Sequence, residues 1–214
     1  QPRAAAEVFD QVAEIGMGED AWDIEVLGWR PYAEALSIRS IAHSLFGEMS
    51  EALELVERMN VRIRRPGQSS AMNAPSDRLW ICWATGDAQR SQLYASEALQ
   101  LAERFGSENT IVYALLVCGI ACCLGLRWEA GHGFLRRADE IISETGAGAE
   151  WSVAIDGSWA LCLAALGDTE QSLKLVRRGV AGLSDGTRVF WGAIHARALR
   201  AAGGLQCQAE LETL

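Results

Sequence analysis

The sequence predicts an all-α fold, an α-solenoid of antiparallel helical hairpins, and three observations carry that reading. Apolar residues recur at steps of three and four, as in Ile111, Leu115, Cys118 and Cys122, which is one stripe of a helix. Glycine turns then interrupt the stripes. Gly125-Leu126-Arg127 stops this one, and Trp128, Leu135, Ala138 and Ile142 resume it on a second helix; helix, tight turn and helix make an αα-hairpin. Finally, the turn glycines Gly47, Gly86, Gly125, Gly167 and Gly203 are separated by 39, 39, 42 and 36 residues (86 − 47, 125 − 86, 167 − 125, 203 − 167).

Taken in order, Val8, Val12 and Ile15 mark a short first helix ended by Gly16-Met17-Gly18. After an acidic patch, Pro31 sits in the first turn of a helix whose apolar face is Ala35, Ile38, Ala42 and Leu45. Ala52, Val56, Met59 and Ile63 define its return partner beyond Gly47. Arg65 to Ser76 is expected to be an irregular connection, rich in proline, glycine and serine. Leu79, Cys82 and Trp83 carry the next helix, and Tyr94, Ala98, Leu101 and Phe105 its return. The central hairpin closes at Thr145-Gly146. Trp151, Ile155, Trp159, Cys162 and Leu166 then face one way, answered by Leu173, Val176, Val180 and Leu183 after Gly167-Asp168. Asp168 and Gln171 are spaced for a helix cap. Phe190, Ile194, Arg197 and Ala201 form the last helix. One helical-repeat domain spans 1–214, with hairpins near 31–65, 75–106, 107–146, 149–185 and an incomplete one at 187–214.

Five residues after four of the turn glycines stand Ala52, Ser91, Ala130 and Ser172, small enough for the second helix to press on the first. That is the phase of a tetratricopeptide-like repeat, longer than its usual period of about 34 residues and without most of its large signature residues. Each hairpin would bury its apolar face against its neighbours.

The composition excludes several classes. With 50% hydrophobic and 22% charged residues the chain is not a disordered one. Nineteen basic against 28 acidic side chains give a net charge of −9, which repels nucleic acid and anionic membrane alike. The basic cluster Arg62, Arg64 and Arg65 reads as a solvated helix end. Cys82, Cys118, Cys122, Cys123 and Cys162 lie inside apolar helical stretches, where cysteine acts as a small core residue. Reduced thiols and a cytoplasmic location are expected. A start at Gln1 without methionine suggests a segment of a longer chain.

No catalytic machinery declares itself, and no catalytic, cofactor-binding or metal residue is assigned. There is no phosphate-cradling Gly-x-x-x-x-Gly-Lys-Ser/Thr stretch. Gly131-His132-Gly133 and Gly146-Ala147-Gly148 lack the third glycine of a dinucleotide loop and read as turns. Ser158 falls within a helical stripe, not at a strand-to-helix nucleophile elbow. Cys118 and Cys122, with Cys123 and His132 nearby in sequence, have a spacing that zinc could use, but soft residues filling gaps in a packed helix explain them as well. His43, His132 and His195 are scattered over different hairpins and read as surface or packing residues. Eight tryptophans are many for this length and normally anchor helix packing. Trp80 and Trp83, beside the longest loop, are expected to be exposed and to contact a partner.

Several phrases resemble the helical-repeat region that follows the ATPase module in bacterial class III adenylate/guanylate cyclases and related predicted ATPases. They are Gly28-Trp29-Arg30-Pro31, Leu45-Phe46-Gly47 with Glu51-Ala52-Leu53, Glu97-Ala98-Leu99-Gln100-Leu101-Ala102 and Arg127-Trp128-Glu129-Ala130. Trp159-Ala160-Leu161, Arg178-Gly179-Val180 and Trp191-Gly192-Ala193-Ile194-His195-Ala196-Arg197 follow in the same order. The likeness runs from Gly28 to Gly203 and departs from the family at Leu205-Gln206-Cys207. It implies a parent that makes cyclic nucleotide, with this segment regulatory and its catalytic modules upstream.

Three readings follow. The first is a non-catalytic interaction scaffold, docking other domains of its parent, a protein partner or a second copy as a homodimer. The second is a sensor with an effector pocket between hairpins, lined by Trp151, Trp159 and Trp191. The third is an independent metal-dependent hydrolase using Cys118, Cys122 and His132.

Overall fold

The computed structural model describes residues 36–37, 39–40, 43, 47–62, 73–105, 107–183 and 185–203. The helix expected at Val8–Ile15, the face through Ala35, Ile38, Ala42 and Leu45, the cations Arg64 and Arg65, and the tail after Gly203 lie outside them. Among the described residues the chain is all-α, without a strand. Its helices are α1 (Met49–Arg62), α2 (Asn73–Thr85), α3 (Ala88–Phe105), α4 (Glu108–Leu124), α5 (Trp128–Thr145), α6 (Ser152–Leu166), α7 (Thr169–Ala181) and α8 (Asp185–Gly203), with a 3₁₀ turn at Ala149–Trp151 before α6. The chain forms two compact units, Gln1–Ser107 and Glu108–Leu214.

In the first unit α2 packs against both α1 and α3. Ala52, Leu55 and Val56 are the buried face of α1, and Ala95, Ala98 and Ala102 that of α3. α2 begins at Asn73, so residues 73–76, expected in the irregular connection, are helical. Proline is tolerated there because amides of a first helical turn have no intrahelical partner. A buried hydrogen bond from Ser37 Oγ to Asp77 Oδ1, 2.7 Å, ties residues 40 apart in sequence. Arg78 lies 5.5 Å from the centre of the Tyr94 ring and pairs with Glu57.

The second unit is built around α6, which packs against α4, α5, α7 and α8. α4 and α6 are apolar on nearly all sides: Ala114 through Cys123, and Ala154 through Ala160, are buried without a break. α5 and α7 bury single stripes instead, Gly131, Leu135 and Ala138 on one and Ser172, Leu175, Val176 and Gly179 on the other. That contrast is what a central pair and its flanking helices require. Close approach depends on absent side chains. A Cβ at Gly119 would stand 2.4 Å from Leu135 Cγ, and one at Gly131 would stand 2.9 Å from Cys162 Sγ.

Four turns share one geometry. Gly47, Gly86, Leu126 and Gly167 adopt φ of 81°, 74°, 56° and 89°. After each, the next amide reaches back five residues: Glu48 to His43, Asp87 to Cys82, Arg127 to Cys122 and Asp168 to Leu163, all at 2.8–2.9 Å. This is the left-handed helix stop in which orphan carbonyls are satisfied. The left-handed residue of the central turn is therefore Leu126 and not Gly125, which corrects the spacings to 39, 40 and 41 (86 − 47, 126 − 86, 167 − 126). The small residue shifts in step. Ala52, Ser91, Gly131 and Ser172 are buried where each return helix first bonds back to the turn, and Ala130 is only half-buried. Ser172 Oγ also donates to Ala160 O across the α6–α7 contact, at 2.8 Å.

Candidate functional site

The chemistry-bearing side chains of the second unit collect around α6. Asp156 is buried at 2% exposure, and Arg178 of α7 donates from Nε to both of its carboxylate oxygens, at 3.0 and 2.9 Å. The same guanidinium donates through Nη2 to Asp139 Oδ1 of α5, at 2.7 Å. One cation thus ties three helices together. Burial pushes the Asp156 carboxyl above its ordinary range, with Arg178 pulling it back. Arg178 is held still more firmly protonated, chiefly by its hydrogen bond to Asp156.

His195 of α8 is fully buried beside this network. Its ring occupies space that two glycines leave open: a Cβ at Gly157 would lie 2.9 Å from Nε2, and one at Gly179 only 2.1 Å from Cε1. Nε2 stands 2.9 Å from Val153 O. A carbonyl only accepts, so Nε2 carries the proton and the neutral ring presents a bare Nδ1, which has no hydrogen-bond partner among the described residues. Burial lowers the His195 pKa, and the bond to Val153 opposes that shift. The histidine is a packing residue, as the sequence suggests.

A second cluster joins α4 to α6. Cys123 Sγ lies 3.4 Å from Cys162 Sγ and 3.7 Å from Ser158 O. Both thiols are buried, as are the free thiols of Cys82, Cys118 and Cys122. The Cys123 thiol is held far above its usual range, first by its hydrogen bond with Cys162 and then by burial, against the pull of Arg197. Among the described residues no three His, Cys, Asp or Glu side chains come together as a metal site. Cys118, Cys122 and His132 are therefore not assembled into the centre that a metal hydrolase needs.

The tryptophans go to different places. Trp80 is buried at 7% exposure, with its ring centre 6.3 Å from that of the half-buried Trp83. This corrects the expected exposure of Trp80, which belongs to a stretch of α2, Leu79 through Cys82, that is buried without a break. Trp151 stacks at a tilt on Tyr113, 4.6 Å between centres. Trp159 is buried and donates from Nε1 to His132 Nδ1 at 2.8 Å, which fixes the imidazole as an Nε2–H tautomer. Trp191 is half-buried on α8. Gly131-His132-Gly133 lies within α5 and is not a turn, whereas Gly146 and Gly148 do take left-handed turn conformations. Ser158 sits inside α6, not at a strand-to-helix turn.

Sequence reasoning missed the Asp139–Arg178–Asp156 bridge and the Cys123–Cys162 pair. The one available signal was a charged residue, Asp156, in an otherwise apolar helix, which requires a partner. No protein-family model, curated protein or solved structure matches the chain. No helix among the described residues is long and apolar enough to cross a membrane.

Proposed function

We propose that this chain is a non-catalytic interaction scaffold, an α-solenoid of tetratricopeptide-like hairpins that regulates a cyclase- or ATPase-containing signalling protein in the cytoplasm. The observation that carries the reading is the turn repeated at Gly47, Gly86, Leu126 and Gly167, each followed at five residues by a small buried residue. A recurring helix stop with a recurring close-packing site is what a repeat array needs, and stacked hairpins present extended faces to a partner. The fate of the buried polar groups agrees with it. Arg178 bonds to Asp156 and Trp159 to His132, each pair across two helices, which makes them fasteners of the fold. The cyclase connection rests on the sequence resemblance alone.

Regulation requires that the scaffold bind the active and inactive arrangements of its parent unequally. The test is cyclase and nucleotide-hydrolysis activity of the full-length parent, with and without residues 28–203, at matched expression. Changed activity in either direction is expected. Unchanged activity with unchanged nucleotide binding would sink the regulatory role.

A further inference from the structure

We propose that Cys123 and Cys162 form a redox modification site, closing to an intramolecular disulfide when the protein meets a hydroperoxide. The two sulfurs already touch at 3.4 Å, on different helices and 39 residues apart in sequence. A disulfide needs them at about 2.05 Å, a displacement of little more than an ångström that side-chain rotation can share. The contacts also give the pair an order. Cys123 is 6% exposed and Cys162 is 0%, so a small peroxide meets Cys123 first. Cys123 Sγ lies within reach of both Ser158 O and the Cys162 sulfur.

The reaction balances with the peroxide as its only co-reactant. The Cys123 sulfur attacks one peroxide oxygen, the O–O bond breaks, and sulfenic acid and an alcohol (water, from hydrogen peroxide) result. The Cys162 sulfur then displaces the sulfenic oxygen as water, forming the S–S bond. Two thiols and one hydroperoxide become one disulfide, one alcohol and one water. Burial favours this outcome over metal capture by the same pair. A bis-thiolate would keep charge in an apolar site, whereas the disulfide is neutral. The suppressed ionisation of Cys123 makes the reaction slow, so the site responds to sustained oxidation and not to trace peroxide. The product would staple α4 to the central helix α6.

The test uses the whole chain, treated with hydrogen peroxide, unfolded in alkylating reagent and digested with trypsin without reduction. Residues 105–127 and 138–174 are each one tryptic peptide, the first holding Cys118, Cys122 and Cys123 and the second Cys162. The expected product is these two peptides joined, with loss of two alkylatable thiols per chain. The link should persist in the Cys118→Ala/Cys122→Ala double variant and disappear in Cys123→Ala. The oxidised protein should also melt roughly 5 °C or more higher. A link that survives in Cys123→Ala, or oxidation to sulfinic and sulfonic acids without a link, would overturn the proposal. So would two unreacted thiols after prolonged exposure. If Cys123→Ala does not fold, the double variant still decides, because there Cys123 is the only thiol in its peptide.

Discussion

His195 shows how much of this fold rests on atoms that are absent. Gly157 on α6 and Gly179 on α7 leave a slot, and the imidazole from α8 fills it. Gly179→Ala would place a methyl 2.1 Å from Cε1, and the Cβ of Asp156 closes the other side at 3.0 Å. Alanine gains about 1 kcal/mol over glycine in a helix interior. Overpacking of a rigid ring against a neighbouring helix costs about 1–3 kcal/mol, so a net destabilisation of up to about 2 kcal/mol is expected from urea unfolding. Gly179→Ala with His195→Ala should cost less than the two changes added, because the clash disappears with the ring.

The same residue makes stability depend on pH. Protonating His195 would put a second N–H at Nδ1, where the buried site offers no acceptor, and burial accordingly lowers its pKa. The groups packed at the ring are Val153 O and, across the Gly179 slot, the Cβ of Asp156, whose carboxylate is held by Arg178. Below the ordinary histidine value of about 6.5 the unfolded chain takes up a proton that the folded chain refuses. Stability is therefore complete above that value and falls as pH drops toward the lowered folded pKa. Asp156 acts with the opposite sign: its raised pKa favours the protonated form in the fold. Its window opens upward from the ordinary carboxylate range, and a variant that keeps Asp156 leaves that contribution in place. Urea midpoints at pH 7.5, 6.5, 6.0 and 5.5 should fall for the native chain, and His195→Gln should remove that part of the decline.

At the scale of elements, the turns decide register. The glycines of three turns are legible in the sequence, because a left-handed residue is most often glycine. The fourth turn misled by one position, since Gly125 precedes Leu126, which takes the left-handed conformation with a side chain 69% exposed. Nothing in Gly125-Leu126-Arg127 reveals which residue turns; only the bond from Arg127 N to Cys122 O does. The cap at Asp168 was legible because it is local: its Oδ1 accepts from Gln171 N at 3.2 Å. The Arg178 bridge was not legible, because Asp139 and Asp156 lie 39 and 22 residues away and only packing brings them to one guanidinium. Leu126 gives a direct test. A left-handed leucine is strained by about 1 kcal/mol or more, and glycine there loses part of the gain through a freer unfolded chain. Leu126→Gly should stabilise by up to about 1 kcal/mol, seen as a higher Tm. A fall in Tm would mean that the exposed leucine is held by contacts the strain reading ignores.

For the molecule as a whole, the question is whether its units stand alone. Glu108–Leu214 is one compact unit, and its largest fully buried side chains include Leu115, Leu116, Ile120, Leu135, Ile155 and Leu199. These come from α4, α5, α6 and α8, and α6 packs against every other helix of the unit. A core closed in this way meets the main requirement for independent folding. Residues 108–214 expressed alone should therefore be helical by circular dichroism and melt in one cooperative step, with the same midpoint at two wavelengths. A repeat array predicts a weaker version of that result. Each hairpin of a solenoid is stabilised through its neighbours, so cutting before Glu108 should lower the midpoint without abolishing the transition. Loss of cooperativity, with dye-binding apolar surface, would show instead that the core of this unit depends on residues 1–107. An unchanged midpoint would mark the two units as independent domains and count against one continuous array.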